Sequence, residues 1–205
     1  GSQGHVWDLE VIEDDLLCGH NTGTYKVNKD NFELLSPVAG GYQIIKIPDQ
    51  KSTYVQGTYN GLVKFQKLDN GAWDVKRIEG FGAPVKQLCF ETPDMLWVAH
   101  PYKGFSRIHF ESGTYDKLDE IQSFEHEGAP SEYNVQLYNI KNKIVLNSEG
   151  NWYSYNPIGD RIEAFEEFKD YRNKELLFFD ERYFWFVDDE EQKAIIHTNL
   201  RVDSL

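Results

Sequence analysis

Basic residues are scarce in this 205-residue chain: 21 Lys and Arg stand against 34 Asp and Glu, a net charge of −13. Such a surface repels a phosphate backbone instead of condensing onto it, so nucleic-acid binding by this segment is not expected. No apolar run approaches the roughly 20 residues needed to cross a bilayer, and the opening residues lack the apolar stretch of a secretory leader. Gly1-Ser2 reads as a cloning remnant and residues 1–4 as tag or linker, so the missing leader carries no information about location. Cysteine occurs twice, at Cys18 and Cys89, inside apolar patterns of two repeats that are not neighbours. A bridge needs Cα atoms within about 7 Å, which makes two buried thiols the expectation. Catalytic signatures are also missing. His5, His20, His100, His109, His126 and His197 show neither the i, i+4 pairing nor the accompanying Cys pairs of a zinc site, so no metal and no cofactor is expected. There is no Gly-x-Ser-x-Gly elbow, and Gly80-Phe81-Gly82-Ala83-Pro84 lacks the spacing of a phosphate loop.

Aromatic residues, by contrast, make up 15% of the chain while methionine occurs once. Tyr, Phe and Trp suit half-buried pleated surfaces, so the composition leans toward sheet. A glycine-ended hairpin then recurs four times, around Gly23, Gly61, Gly104 and Gly150, with spacings of 38, 43 and 46 residues. That is close to the roughly 40 to 50 residues of a four-stranded propeller blade. Each hairpin is preceded by two alternating or apolar strands and followed by a short closing strand. The reading is all-β: a β-propeller of four-stranded antiparallel blades, four full and a fifth incomplete, forming part of a larger propeller. Blade limits fall near 5–40, 41–81, 82–121, 132–168 and 174–205. In the third blade the closing strand is expected at Tyr115 to Leu118. Ile121 to Glu132 and Phe168 to Lys174 are expected as solvated connections. Whether the ring closes within this chain is left open.

In an up-and-down blade the turn between strands two and three shares a face with the loop that leads to the next blade. The turns place His20, Asn21, Thr22, Thr58, Tyr59, Asn60, His100, Tyr102 and Lys103 on that face, with Ser148 and Glu149 in the fourth blade, and the loops add Tyr42, Phe81, Glu127 and Tyr171. Aromatic platforms beside amides and hydroxyls suit sugars or peptides, because rings stack on apolar faces while polar side chains pair with ligand groups. His20, Asn21, Tyr59, Asn60, His100, Tyr102 and Lys103 are therefore the candidate ligand contacts. Three readings follow: a sensor module, a protein-interaction scaffold, and an enzyme of the glycosidase kind. The last would use carboxylates on the innermost strands, where Glu10, Glu91 and Asp180 lie.

Thr53-Tyr54-Val55-Gln56-Gly57-Thr58-Tyr59-Asn60-Gly61-Leu62-Val63-Lys64-Phe65 resembles the two-component regulator propeller repeat: an apolar pair, Gly, Thr, an aromatic, Gly-Leu, a basic residue and an aromatic. Met95 to Ile108 is a second, weaker copy, in which His100 and Pro101 replace the usual small residues. The resemblance implies a non-catalytic sensor segment on the periplasmic or extracellular side of a membrane-anchored bacterial regulator. Its partners would be a small molecule of unspecified class, an oligosaccharide among the candidates, the other propeller or signalling domains of the parent protein, and a second copy in a homodimer.

Overall fold

The computed structural model describes residues 3–111, 113–124, 133–180, 183–188 and 194–201. Glu127, His126 and the tail beyond Arg201 lie outside the described residues.

The described residues form five antiparallel sheets in sequence order, four of four strands and a last one of three. Blade 1 consists of β1 (Val6–Ile12), β2 (Asp15–His20), β3 (Gly23–Asn28) and β4 (Asn31–Ser36). Blade 2 holds β5 (Ile44–Lys46), β6 (Thr53–Thr58), β7 (Gly61–Lys67) and β8 (Trp73–Arg77). Blade 3 has β9 (Gln87–Thr92), β10 (Met95–Ala99), β11 (Phe105–Phe110) and β12 (Leu118–Ser123). Blade 4 follows with β13 (Gln136–Ile140), β14 (Lys143–Ser148), β15 (Asn151–Asn156) and β16 (Arg161–Ala164), and blade 5 with β17 (Lys174–Phe179), β18 (Tyr183–Asp188) and β19 (Ala194–Arg201). Among the described residues the named strands pair only with their sequence neighbours, so each blade is a simple meander, and one parallel bridge, Glu79 to Lys117, links blades 2 and 3. The turn glycines Gly23, Gly61, Gly104 and Gly150 all have positive φ, which explains the recurrence of glycine there.

A blade cannot bury both faces by itself, so adjacent blades clasp apolar side chains between them. Blades 1 and 2 enclose Ile12, Leu17, Ile44, Tyr54, Val63 and Phe65. Val55, Leu62, Val85, Leu96 and Ile108 fill the next interface, and Trp97, Phe105, Leu137, Leu146 and Tyr155 the third. The fourth is aromatic: Trp152, Phe165, Phe168, Phe184 and Phe186. The first strands β5, β9 and β13 pack against one another, which places them along the axis of the arc. At the first interface the backbones themselves meet, since a Cβ added to Gly19 would lie 2.2 Å from the Gly41 carbonyl oxygen.

Two segments depart from the sequence reading. The closing strand of blade 3 starts at Leu118, so Ile121 to Ser123 are strand instead of loop. Tyr115 takes a left-handed turn (φ 53°), and the Lys64 ammonium reaches over from blade 2 to the Thr114 carbonyl and the Asp116 carboxylate, which holds this segment as an inter-blade contact. The stretch expected as a solvated connection after blade 4 contains a 3₁₀ helix, Glu166–Tyr171, whose Phe168 is fully buried between the blades. Both cysteines are free thiols and buried. Burial, followed by the nearby Glu91 carboxylate, pushes Cys89 up to about 12.

The two faces of blade 1 differ sharply. Cross-strand neighbours Val11, Leu16, Val27 and Phe32 share one face, and Leu9, Cys18, Tyr25 and Leu34 extend it. Leu9, Val11, Phe32 and Leu34 are exposed on it. Leu177 and Phe178 are likewise exposed on blade 5.

Candidate functional site

The face formed by the β2–β3 and β6–β7 turns and the inter-blade loops carries a row of rings. Its first member comes from a break in alternation: β1 slips register between Val6 and Asp8, and Trp7 stands at the slip. The Trp7 indole stacks on His5 at 5.5 Å and meets Tyr42 at 5.4 Å and Tyr59 at 6.3 Å. Tyr42 and Tyr59 touch edge to face at 5.5 Å and 69°, an arrangement in which the positive edge of one ring faces the negative face of the other. The Tyr59 ring lies directly on Gly40, where an added Cβ would be 2.1 Å from the ring and φ is +77°. Only glycine fits beneath it. Its backbone is tied down as well, since the Tyr59 amide donates to the Ala39 carbonyl at 3.1 Å.

Underneath, a buried polar relay sets the height of the platform. The Thr24 hydroxyl donates to Gln56 Oε1 at 2.7 Å, and Gln56 Nε2 donates to the Tyr42 carbonyl at 3.0 Å. Burial, then the charge that the Tyr59 and Tyr102 phenols would carry, pushes the Tyr42 hydroxyl up to about 12. Tyr42 is thus neutral at every physiological pH, a hydrogen-bonding phenol and not an acid.

The row continues on blade 3. Tyr102 is 62% exposed and its ring meets Tyr133, 57% exposed, at 5.4 Å. The Tyr102 amide donates to His100 Nδ1 at 2.9 Å, which pins this turn and brings the imidazole to 6.3 Å from the Tyr102 ring.

Of the residues expected on this face, Tyr59, Tyr102 and His100 belong to the aromatic row. His20 does not present itself to a ligand: it is 3% exposed, it lies beneath Gly4, and its Nδ1 is engaged by the Thr22 hydroxyl at 2.8 Å. The N-terminal segment is strapped across it by the Asn21 amide, which donates to the His5 carbonyl. Asn21 Oδ1 is enclosed there too. Asn60 is exposed, its carbonyl accepting from Arg77 at 2.7 Å. Lys103 lines a groove with His100, Phe81, Pro84 and Ser123. Tyr171, expected in a loop, stacks on Phe186 at 4.4 Å and is part of the interface. Trp7 and Tyr133 carry no turn signal in the sequence, because one stands near the start of a first strand and the other just before one.

The carboxylates considered for catalysis are dispersed. Glu91 is occupied by Arg107, at 2.7 and 3.0 Å, and by the Trp97 indole N–H at 2.8 Å. Asp180 Oδ1 accepts from the Tyr183 amide at 2.8 Å and shapes a hairpin. Glu10 shares its groove with Asp8, and burial followed by the Asp8 charge raises its carboxyl.

No protein-family model and no curated protein matches the chain. Solved structures do. The extracellular domain of BT4673 from B. thetaiotaomicron, described as a hybrid two-component system, superposes with a TM-score of 0.63 at 16% identity, over 96% of this chain and 28% of that one. The extracellular domain of BT3049 from the same organism gives 0.61 at 14% identity, over 98% and 30%. Virginiamycin B lyase from Staphylococcus aureus, in complex with quinupristin, gives 0.56 at 13%, over 96% and 70%. This is a β-propeller fold shared by extracellular domains of signalling proteins and by an enzyme. The chain spans less than a third of the length of the signalling domains it matches.

Proposed function

We propose that this chain is a ligand-binding segment of a sensor propeller, held on the periplasmic or extracellular side of a membrane-anchored regulator, and that it recognises a glycan on its aromatic face. The observation that carries this reading is a pair of ring clusters on one face, Trp7 with Tyr42 and Tyr59, and Tyr102 with Tyr133, whose rings pack within each cluster and remain partly open to solvent. Exposed rings beside hydroxyls are costly to keep wet and suit the apolar faces and hydroxyl rims of sugar rings. The similarity to extracellular domains of two-component systems supports the signalling context. Signal output requires a ligand that binds two arrangements of the parent protein with different affinity. The rigid blades make the placement of neighbouring domains, or of a second copy, the variable element. Calorimetric titration with neutral oligosaccharides tests the reading: saturable binding without turnover is expected, and Tyr59→Ala or Tyr102→Ala should weaken it at least tenfold. Product release from a glycan would point to the enzyme reading instead. A protein-interaction role draws on a separate feature, the exposed apolar face of blade 1, since patches of this kind commonly mark protein contacts.

A further inference from the structure

Beyond Tyr133 the same face changes chemistry. Between blades 4 and 5 a pocket of about 340 Å³ is lined by Asn134, Gln136, Asn147, Asn173, Lys174 and Glu175. Three of its four amides are oriented by bonds to their carbonyl oxygens. Asn147 Oδ1 accepts from the Gly150 amide at 3.2 Å, Asn134 Oδ1 from Lys86 Nζ at 3.0 Å, and Gln136 Oε1 from the Tyr138 hydroxyl at 2.8 Å. A backbone N–H and an ammonium can only donate, so for Asn147 and Asn134 these bonds settle which end of the amide is nitrogen. What those two amides have left to give is N–H. One of the three stands apart: Asn147 lines the pocket at 8% exposure, and its Nδ2, enclosed by its neighbours, has no hydrogen-bond partner. An unsatisfied buried donor costs about 1–3 kcal/mol, so its retention calls for an explanation.

The charges around the pocket narrow the class of ligand. Lys174 is paired with Asp188, and Glu175 stands in the lining. Within the lining an anion would meet the Glu175 carboxylate, with Lys174 already paired and Lys86 bonded to Asn134 at the rim, while an uncharged hydroxyl can accept from an amide N–H and donate onward to Glu175. Tyr133, next to Asn134 in the chain, joins the pocket to the aromatic row.

We infer that the pocket between blades 4 and 5 is a sugar subsite, in which Asn147 Nδ2, with the amides of Asn134 and Gln136, donates to hydroxyl oxygens of a neutral saccharide. This rests on the reading of the aromatic row as a glycan platform and extends it: the platform holds one ring of an oligosaccharide and the amides grip another. The volume is at the small end of ligand sites and suits one sugar unit.

The test is calorimetric titration of the chain with cellobiose, maltose and lactose, and with glucuronate and galacturonate as acidic counterparts. Wild type should bind at least one of the neutral disaccharides and the uronates more weakly. Asn147→Asp keeps the oxygen that accepts from Gly150 and removes the donor, and affinity should fall at least tenfold. Gln136→Glu does the same at a half-exposed position, for an expected loss of about fivefold, and decides the matter if Asn147→Asp fails to fold. Tyr59→Ala separates the two claims. If Tyr59→Ala weakens binding while neither amide variant does, the subsite is overturned and the aromatic reading stands. If none of the three changes affinity, or no sugar binds, both are overturned; a preference for uronates overturns the subsite.

Discussion

The two ends of the arc solve one packing problem with opposite chemistry. Between blades 1 and 2 the interior carries a polar hub: the Asp15 carboxylate accepts from Lys26 at 2.8 Å, from Lys67, and from the Trp73 indole at 2.8 Å. Above it, at the axial face, sit the rings of Trp7, Tyr42 and Tyr59. Between blades 4 and 5 the order is inverted. Phe168 packs in the interior against Trp152, Phe184 and Phe186, with centroids 5.1 to 5.2 Å away and planes nearly perpendicular, and the face above offers amides. Blade geometry therefore fixes where side chains stand but not which chemistry fills the place. The first end adds a charged hub to its apolar cluster, while the second is filled largely by aromatic volume.

Removing that volume should have the largest effect. Phe168→Ala leaves a cavity lined by five aromatic side chains, and a loss of about 3–5 kcal/mol in denaturant unfolding is expected. An unchanged midpoint would mean that the 3₁₀ helix is not part of the core. Asp15→Ala strands two lysines that are mostly buried and should cost about 3 kcal/mol, with a smaller loss for Asp15→Asn.

Acid sharpens the contrast without mutation. Burial alone would raise the Asp15 carboxyl, yet its bonds from Lys26, Lys67 and Trp73 bring it down to about 2. Its unfolded value is near 4, so the native pKa is the lower one: the stabilisation is complete above about pH 5 and is lost as pH falls toward 2, about 2 kcal/mol in all. Unfolding curves at pH 7 and pH 3 should show wild type losing part of this increment while Asp15→Asn loses less. Equal losses in both would remove Asp15 from the account.

The smallest effect expected is chemical. Cys89, with its thiol held up to about 12 by burial and then by Glu91, should resist iodoacetamide at pH 8 in the folded chain and react once unfolded. Rapid native labelling would show that blades 3 and 4 separate readily.

The fold was legible because its signals are local. Turn glycines at Gly23, Gly61, Gly104 and Gly150, with alternating strands between them, recur at a blade's length, and a meander needs no long-range information. The misreadings arose where distant partners decide. Tyr115 to Lys117 look like strand but are held by Lys64 of the preceding blade, and Phe168 sits in a polar stretch, Glu166 to Asp170, that gives no hint of the pocket of rings awaiting it. The same divide runs through the site. Tyr59 and Tyr102 could be placed from turn positions alone. His20 occupies an equivalent turn but is covered by Gly4, a contact no pattern in the sequence announces. Trp7 needed the register slip of β1, and the orientation of Asn147 needed the Gly150 amide.

Chemical-shift mapping of the chain with a neutral oligosaccharide tests the central claim most directly. Perturbations should concentrate on Trp7, Tyr42, Tyr59, Tyr102, Tyr133 and the side-chain amides of Asn134, Gln136 and Asn147. Perturbations confined to the outer face of blade 1, around Val11 and Phe32, or none at saturating sugar, would contradict it.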